Sequence, residues 1–109
     1  MCSDRLKLSI VIPVFNAEKF IRKCIRSVLR QTYPNYEVVI INDGSTDQSL
    51  NICNEIKEKD SRILVISQPN SGSAKARRVG IDHATGDYVM FLDADDYFCV
   101  KNALEVVCT

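Results

Sequence analysis

Apolar runs alternate along this chain with stretches whose apolar residues recur at helical spacing. Leu6 to Phe15 (LKLSIVIPVF) is β-branched and nearly continuous, which predicts a strand. Pro13 falls near its end, where a missing N–H does least harm to a ladder. Phe20, Ile21, Cys24, Ile25, Val28 and Leu29 then recur with a helical period, predicting a helix over roughly 17–30. Asn16 is its expected N-cap, Glu18 suits the first turn, and Pro34 is the stop. Tyr36 to Asn42 (YEVVIIN) predicts a second buried strand, ending in Asp43-Gly44-Ser45. Ser45 with Gln48 three residues later has the form of a capping box, opening a helix that runs to about Lys59 with Leu50, Cys53 and Ile56 inward. Arg62 to Ser67 predicts a short third strand, and Gln68 to Ser73 a loop of turn formers. A third helix is expected over 74–84, where Ala74, Ala76 and Gly80 allow close approach to a sheet or a ligand. Tyr88 to Leu92 is a fourth apolar run, expected to be buried on both faces, and Val100 to Cys108 starts another helix.

Strands alternating with helices imply crossover connections and a mainly parallel sheet. The predicted architecture is therefore Rossmann-like α/β, three layers α/β/α, in a single domain over 1–109. In such a sheet the carboxyl ends of the strands share one edge, and ligands bind there.

Composition narrows the function classes. Lys plus Arg equals Asp plus Glu, so the formal net charge is zero, and there is no bulk electrostatic case for nucleic acid or for an anionic membrane surface. The five cysteines are odd in number and contain no Cys-x-x-Cys. This predicts buried thiols in a reducing, cytoplasmic compartment. A single histidine, His83, excludes most His-based metal or triad schemes. Met1 to Arg5 is not a signal peptide, and no apolar run approaches membrane-spanning length. One local exception to the neutral charge is the face carrying Lys19, Arg22, Lys23, Arg26 and Arg30, either a solvated surface or a patch for a membrane or a nucleic acid.

The chemistry is concentrated where the fourth apolar run meets Asp93-Ala94-Asp95-Asp96. Asp93 and Asp95, two apart, would share one side of an extended backbone. Three acids this close repel one another unless a cation lies between them. Mg²⁺ or Mn²⁺ takes carboxylate oxygens and leaves positions for phosphates. Read alone, the same acids could be a solvated turn with an Asp N-cap. A calcium-binding EF-hand loop fails, because its sixth and twelfth positions would be Phe98 and Leu104. A phosphotransferase of the haloacid dehalogenase type, with Asp93 as nucleophile, is a weaker alternative: Tyr97 stands where that family has a small Thr or Val. The shared edge also gathers Pro13 to Asn16, Asp43-Gly44-Ser45 and the Gln68 to Gly72 loop, an ensemble suited to a nucleoside diphosphate with its metal. Neither G-x-G-x-x-G nor G-x-x-x-x-G-K-[ST] occurs.

The stretches SIVIPVFNAEKFIRKCIRSVLRQTYPNYEVVIINDGSTDQS and SGSAKARRVGIDHATGDYVMFLDADD resemble the N-terminal, nucleotide-binding half of the family 2 glycosyltransferases, which have the GT-A fold. The resemblance implies sugar transfer from a nucleotide-sugar donor, often a UDP-sugar, to a saccharide or lipid-linked acceptor. It implies that Pro13 and Phe15 line the base pocket, Asp43 contacts the base, and Arg77 approaches the nucleotide. Asp93 and Asp95 would form the family's Asp-x-Asp, Asp95 the direct ligand of Mg²⁺ or Mn²⁺, with Asp96 in support. The setting implied is cell-envelope or exopolysaccharide synthesis by an inverting enzyme, cytoplasmic or peripheral at the inner face of the membrane. Two departures stand out. Arg78 occupies a position where the family usually has Asn, and the family's catalytic domain is considerably longer than 109 residues. Its later half supplies the acceptor pocket and general base, so no residue here is assigned as base. A non-catalytic nucleotide-binding fragment is the alternative, and an exposed sheet edge would invite self-association.

Overall fold

The computed structural model describes residues 6–104. Its core is a parallel sheet of four strands in the order β3-β2-β1-β4. The strands are β1 (Leu8–Val14), β2 (Tyr36–Asp43), β3 (Ile63–Gln68) and β4 (Tyr88–Phe91). They are joined by α1 (Ile21–Leu29), α2 (Ser49–Lys59) and α3 (Ser73–His83). The register places Leu8 opposite Tyr36 and Tyr88, and Val38 opposite Ile63. The chain moves outward through β2 and β3, then returns to the far side of β1. The switch point therefore lies between β1 and β4.

Strand periodicity divides the core. Leu8, Ile10, Ile12 and Val14 of β1, with Val38 and Ile40 of β2, pack against Ile21, Cys24, Ile25, Val28 and Cys53 of α1 and α2. Val11, Val39 and Ile41 point to the other face and meet Ala76 of α3. At Gly80 a side chain would collide with Val11, so this glycine lets α3 lie close on the sheet. The result is the expected α/β/α sandwich, with one helix on the second face.

Several local expectations change. The first helix begins at Ile21, not at Ala17, and Asn16 is not its cap. Asn16 instead takes a left-handed conformation, φ 48°. It is held there by hydrogen bonds across to the loop after β2: its N–H donates to Ser45 Oγ at 3.0 Å and its Oδ1 accepts from Thr46 N at 2.8 Å. Ser45 is thus occupied by Asn16, and the Ser45–Gln48 capping box does not form. The start of α2 is satisfied by Asp47 Oδ1, which accepts from Ser49 N at 2.9 Å, and by Glu18 Oε2, which accepts from Gln48 N at 3.1 Å. The two strand-end loops cap each other. Ile52, not Leu50, joins Cys53 and Ile56 in the core.

The fourth strand departs most. It lies at the edge, and Tyr88, Val89 and Phe91 are exposed where burial on both faces was expected. Its position is set from its flanks. Asp87 N donates to Lys7 O at 2.7 Å, Gly86 N to Ser9 Oγ at 2.8 Å, and Leu92 N to Val11 O at 3.0 Å. Cys24 and Cys53 are buried as expected, whereas Cys99 is exposed. The helix expected from Val100 begins in the described region only at 103–104. Its remainder, with Cys108, lies outside the described residues, as does Cys2.

Candidate active site at the carboxyl edge of the sheet

The strand ends converge on a cleft of about 550 Å³ lined by Pro13 and Phe15 from the end of β1, Asp43 from β2, Arg77 from α3, and Asp93 and Asp95 from beyond β4. Six of the seven residues singled out from the sequence line this one cleft. The seventh, Asp96, joins it through the acidic cluster described below.

Asp43 ends β2 and is only 4% exposed. Its Oδ1 accepts from Gln68 Nε2 at 2.9 Å and from Ser71 N at 2.8 Å, and its Oδ2 accepts from Gly72 N at 3.0 Å. Burial alone would push this carboxyl up. The Gln68, Ser71 and Gly72 donors outweigh it and hold the group below the ordinary aspartate value. Asp43 therefore organises the loop that forms one wall of the cleft. Gly44 follows at φ 70°, and Asn70 crosses it so closely that a Cβ there would sit 2.6 Å from Asn70 N. Oδ2, with one accepted bond, retains capacity for one more donor from the cleft.

The acids beyond β4 are arranged differently. The backbone from Asp93 to Asp96 is a tight turn, with Asp96 N donating to Asp93 O at 2.9 Å, not a continued strand. The turn still brings carboxylate oxygens of Asp93, Asp95 and Asp96 within 4.8 Å of one another, all three exposed. Turn geometry, not strand alternation, assembles them. Cys24 anchors the turn from below, its thiol donating to Asp93 O at 3.6 Å. Burial, with the negative charge of Asp96 next, pushes that thiol up to about 12, so it stays a neutral donor. On the cleft side, Arg77 Nη2 approaches Asp93 Oδ1 at 3.5 Å, and its guanidinium lies 5.9 Å from the Phe91 ring centroid. Three exposed carboxylates sharing one cation is a donor set that suits a hard divalent ion.

Sequence reasoning overlooked part of the lining. Phe20, read as a core position of the first helix, is 52% exposed and faces the cleft. The signal was ambiguous, because an apolar residue at the start of an amphipathic pattern fits either role. Asn70, Gly72 and Ser73 also line it; their turn-former composition predicted a loop but not its fold over Asp43.

The profile of glycosyl transferase family 2 matches residues 9–107. Among curated proteins, the chain is 48% identical over 91 residues to the glycosyltransferase GlyA of Streptococcus pneumoniae serotype 4, covering 84% of this chain and 13% of that protein. The chain spans 13% of the length of that protein and 36% of an uncharacterised glycosyltransferase of Haemophilus influenzae. Among solved structures, S. aureus TarS 1-349 in complex with UDP-GlcNAc superposes with a TM-score of 0.86 at 36% identity, over 94% of this chain and 30% of that one. GalNAc-T7 with UDP, GalNAc and Mn²⁺ superposes with a TM-score of 0.72 at 27% identity, over 82% of this chain and 18% of that one. The switch-point cleft, the acidic turn and the profile match converge, and the chain belongs to glycosyl transferase family 2, with the GT-A fold.

Proposed function

We propose that this chain is the donor-binding part of a metal-dependent glycosyltransferase that takes a nucleoside-diphosphate sugar, a UDP-sugar first among candidates, and passes the sugar to a saccharide or lipid-linked acceptor in cell-envelope or exopolysaccharide synthesis. The observation that carries this is the single cleft into which Asp43, Arg77 and the Asp93–Asp96 turn all project. Pro13 and Phe15 offer apolar walls to a base, and the free capacity of Asp43 Oδ2 suits a base N–H. Arg77 carries donors beyond the one directed at Asp93, and these suit phosphate oxygens. Asp95 and Asp93, with Asp96, would hold Mg²⁺ or Mn²⁺, which when bound would stabilise the departing nucleoside diphosphate as a Lewis acid. UDP-GlcNAc bound to TarS and Mn²⁺ bound to GalNAc-T7 support the same assignment. The phosphotransferase alternative has no support in the profile match, and its Asp93 follows an edge strand. A binding module without turnover remains the competing form of this proposal, because none of the described residues is assigned as general base.

Calorimetric titration of UDP, with and without Mn²⁺, tests it. The expected result is metal-dependent binding to the wild type that is lost in Asp95→Ala. Failure of UDP, GDP and dTDP alike to bind in Mn²⁺ would overturn the donor-site assignment. Binding without sugar transfer or donor hydrolysis would select the non-catalytic form.

A further inference from the structure

The donor cleft leaves one feature of the molecule unused. On the opposite side of the acidic turn, a groove of about 600 Å³ runs between α1 and the segment Tyr97-Phe98-Cys99. Lys19, Arg22, Lys23, Arg26 and Arg30 line its helical side. Among the described residues only Arg22 of these five has a carboxylate partner, Glu55 at 3.7 Å. Arg22, Arg26 and Arg30 stand four residues apart, so they repel along one row of the helix. The first turn of α1 holds no acid to offset the positive end of its dipole. A chain of zero net charge thus concentrates uncompensated cations on a single face.

The facing wall is built, not loose. Phe98 N donates to Ser27 Oγ at 3.0 Å, Gln31 Nε2 to Val100 O at 2.8 Å, and Thr32 N to Lys101 O at 2.8 Å. This pins the segment along α1 and leaves Tyr97 and Val100 exposed, at 46% and 56%. Basic side chains flanked by exposed aromatic and aliphatic groups are the composition of a surface that rests on lipid headgroups. A nucleic-acid strand fits less well. Lys23 Nζ covers a face of the Tyr97 ring at 3.8 Å, where a base would have to stack.

We infer that the basic groove between α1 and Tyr97–Cys99 is a docking surface for an anionic phospholipid membrane, with headgroup phosphates seated among Lys19, Lys23, Arg26 and Arg30. Docking would hold the adjacent acidic turn, and the donor cleft beside it, close to the membrane surface. The inference stands on residues outside the donor cleft and does not depend on the donor assignment.

Vesicle flotation tests it, using phosphatidylcholine vesicles with and without phosphatidylglycerol. The chain is expected to float only with the anionic vesicles and to release in high salt. Arg26→Glu/Arg30→Glu should weaken association by about tenfold or more. Lys75→Glu/Arg78→Glu, the same charge change on α3 across the sheet, should leave it nearly unchanged. Thermal melting checks that each variant is folded, and Lys19→Glu/Lys23→Glu replaces the first pair if it is not. Absence of flotation with anionic vesicles would overturn the inference. So would equal losses in the α1 and α3 variants, or a single-stranded oligonucleotide that binds the groove as tightly as the vesicles do. Unchanged UDP affinity in the α1 variants would confirm that the two surfaces are separate.

Discussion

Asp43 and the Asp93–Asp96 turn stand on the same edge of the sheet, one strand apart, and meet the same cleft. Asp43 is buried and already accepts three hydrogen bonds from its own chain. The three carboxylates of the turn are exposed, crowd one another, and share only the 3.5 Å approach of Arg77 to Asp93. The first carboxylate has its needs met by folding. The second group, among the described residues, has only the exposed Arg77–Asp93 pair. The contrast separates a carboxylate that orders one wall of the cleft from a cluster left open to solvent, which the proposed function assigns to a metal. A carboxylate that folding satisfies contributes to stability, whereas exposed carboxylates held close together leave their oxygens free for a cation.

The largest expected effect breaks the acidic turn. Asp95→Ala should lower metal-dependent UDP affinity by about a hundredfold, read by calorimetry in Mn²⁺. Its unfolding free energy without metal should be unchanged or slightly higher, because like-charge repulsion is relieved. Asp43→Ala should behave in the opposite way. Two backbone N–H groups lose their acceptor, at a cost of about 2–3 kcal/mol, which corresponds to a fall in Tm of roughly 10 °C. A stability loss in Asp95→Ala as large as that in Asp43→Ala would erase the distinction.

Smaller changes sharpen it. Gly44→Ala forces a side chain onto Asn70 at a positive φ and should cost about 1–2 kcal/mol in denaturant unfolding, without touching the acidic turn. Asp43 also predicts a pH dependence. Its folded value lies below the usual 3.8, so its contribution is complete at pH above that value and is lost as pH falls through the lowered one. The acid limb of a Tm-versus-pH curve should therefore be shallower in Asp43→Asn than in the wild type. The smallest stability effect is expected at Arg77. Its pairing with Asp93 is solvent-exposed, so Arg77→Ala should change stability by less than about 0.5 kcal/mol while still weakening UDP binding.

The sequence by itself determined much of this. The runs Ile10–Val14 and Val38–Ile41 are so continuously apolar that only a strand covered on both faces could use them, and the helical spacing of Ile21, Cys24, Ile25 and Val28 admits one buried face. Alternation of these elements dictated a parallel sheet, and a parallel sheet dictated that Pro13, Phe15, Asp43 and Asp93 share an edge. What tertiary structure alone decided were the relations that no local pattern encodes. Tyr88–Phe91 resembles an interior strand in composition, yet among the described residues it pairs only with β1 and lies at the edge of the sheet, because strand order depends on the crossover path and not on hydrophobicity. Asn16 looked like a cap and became a left-handed bridge to Ser45 and Thr46, because a donor and an acceptor from another loop outweighed the local helix start. The acids of the last turn are gathered by a bend of the backbone, and Asp43 is held by a loop that begins 25 residues later. Hydrophobic period is a property of one segment and is legible in it. Hydrogen-bond satisfaction is a property of two segments brought together, and it exists only once the chain has folded.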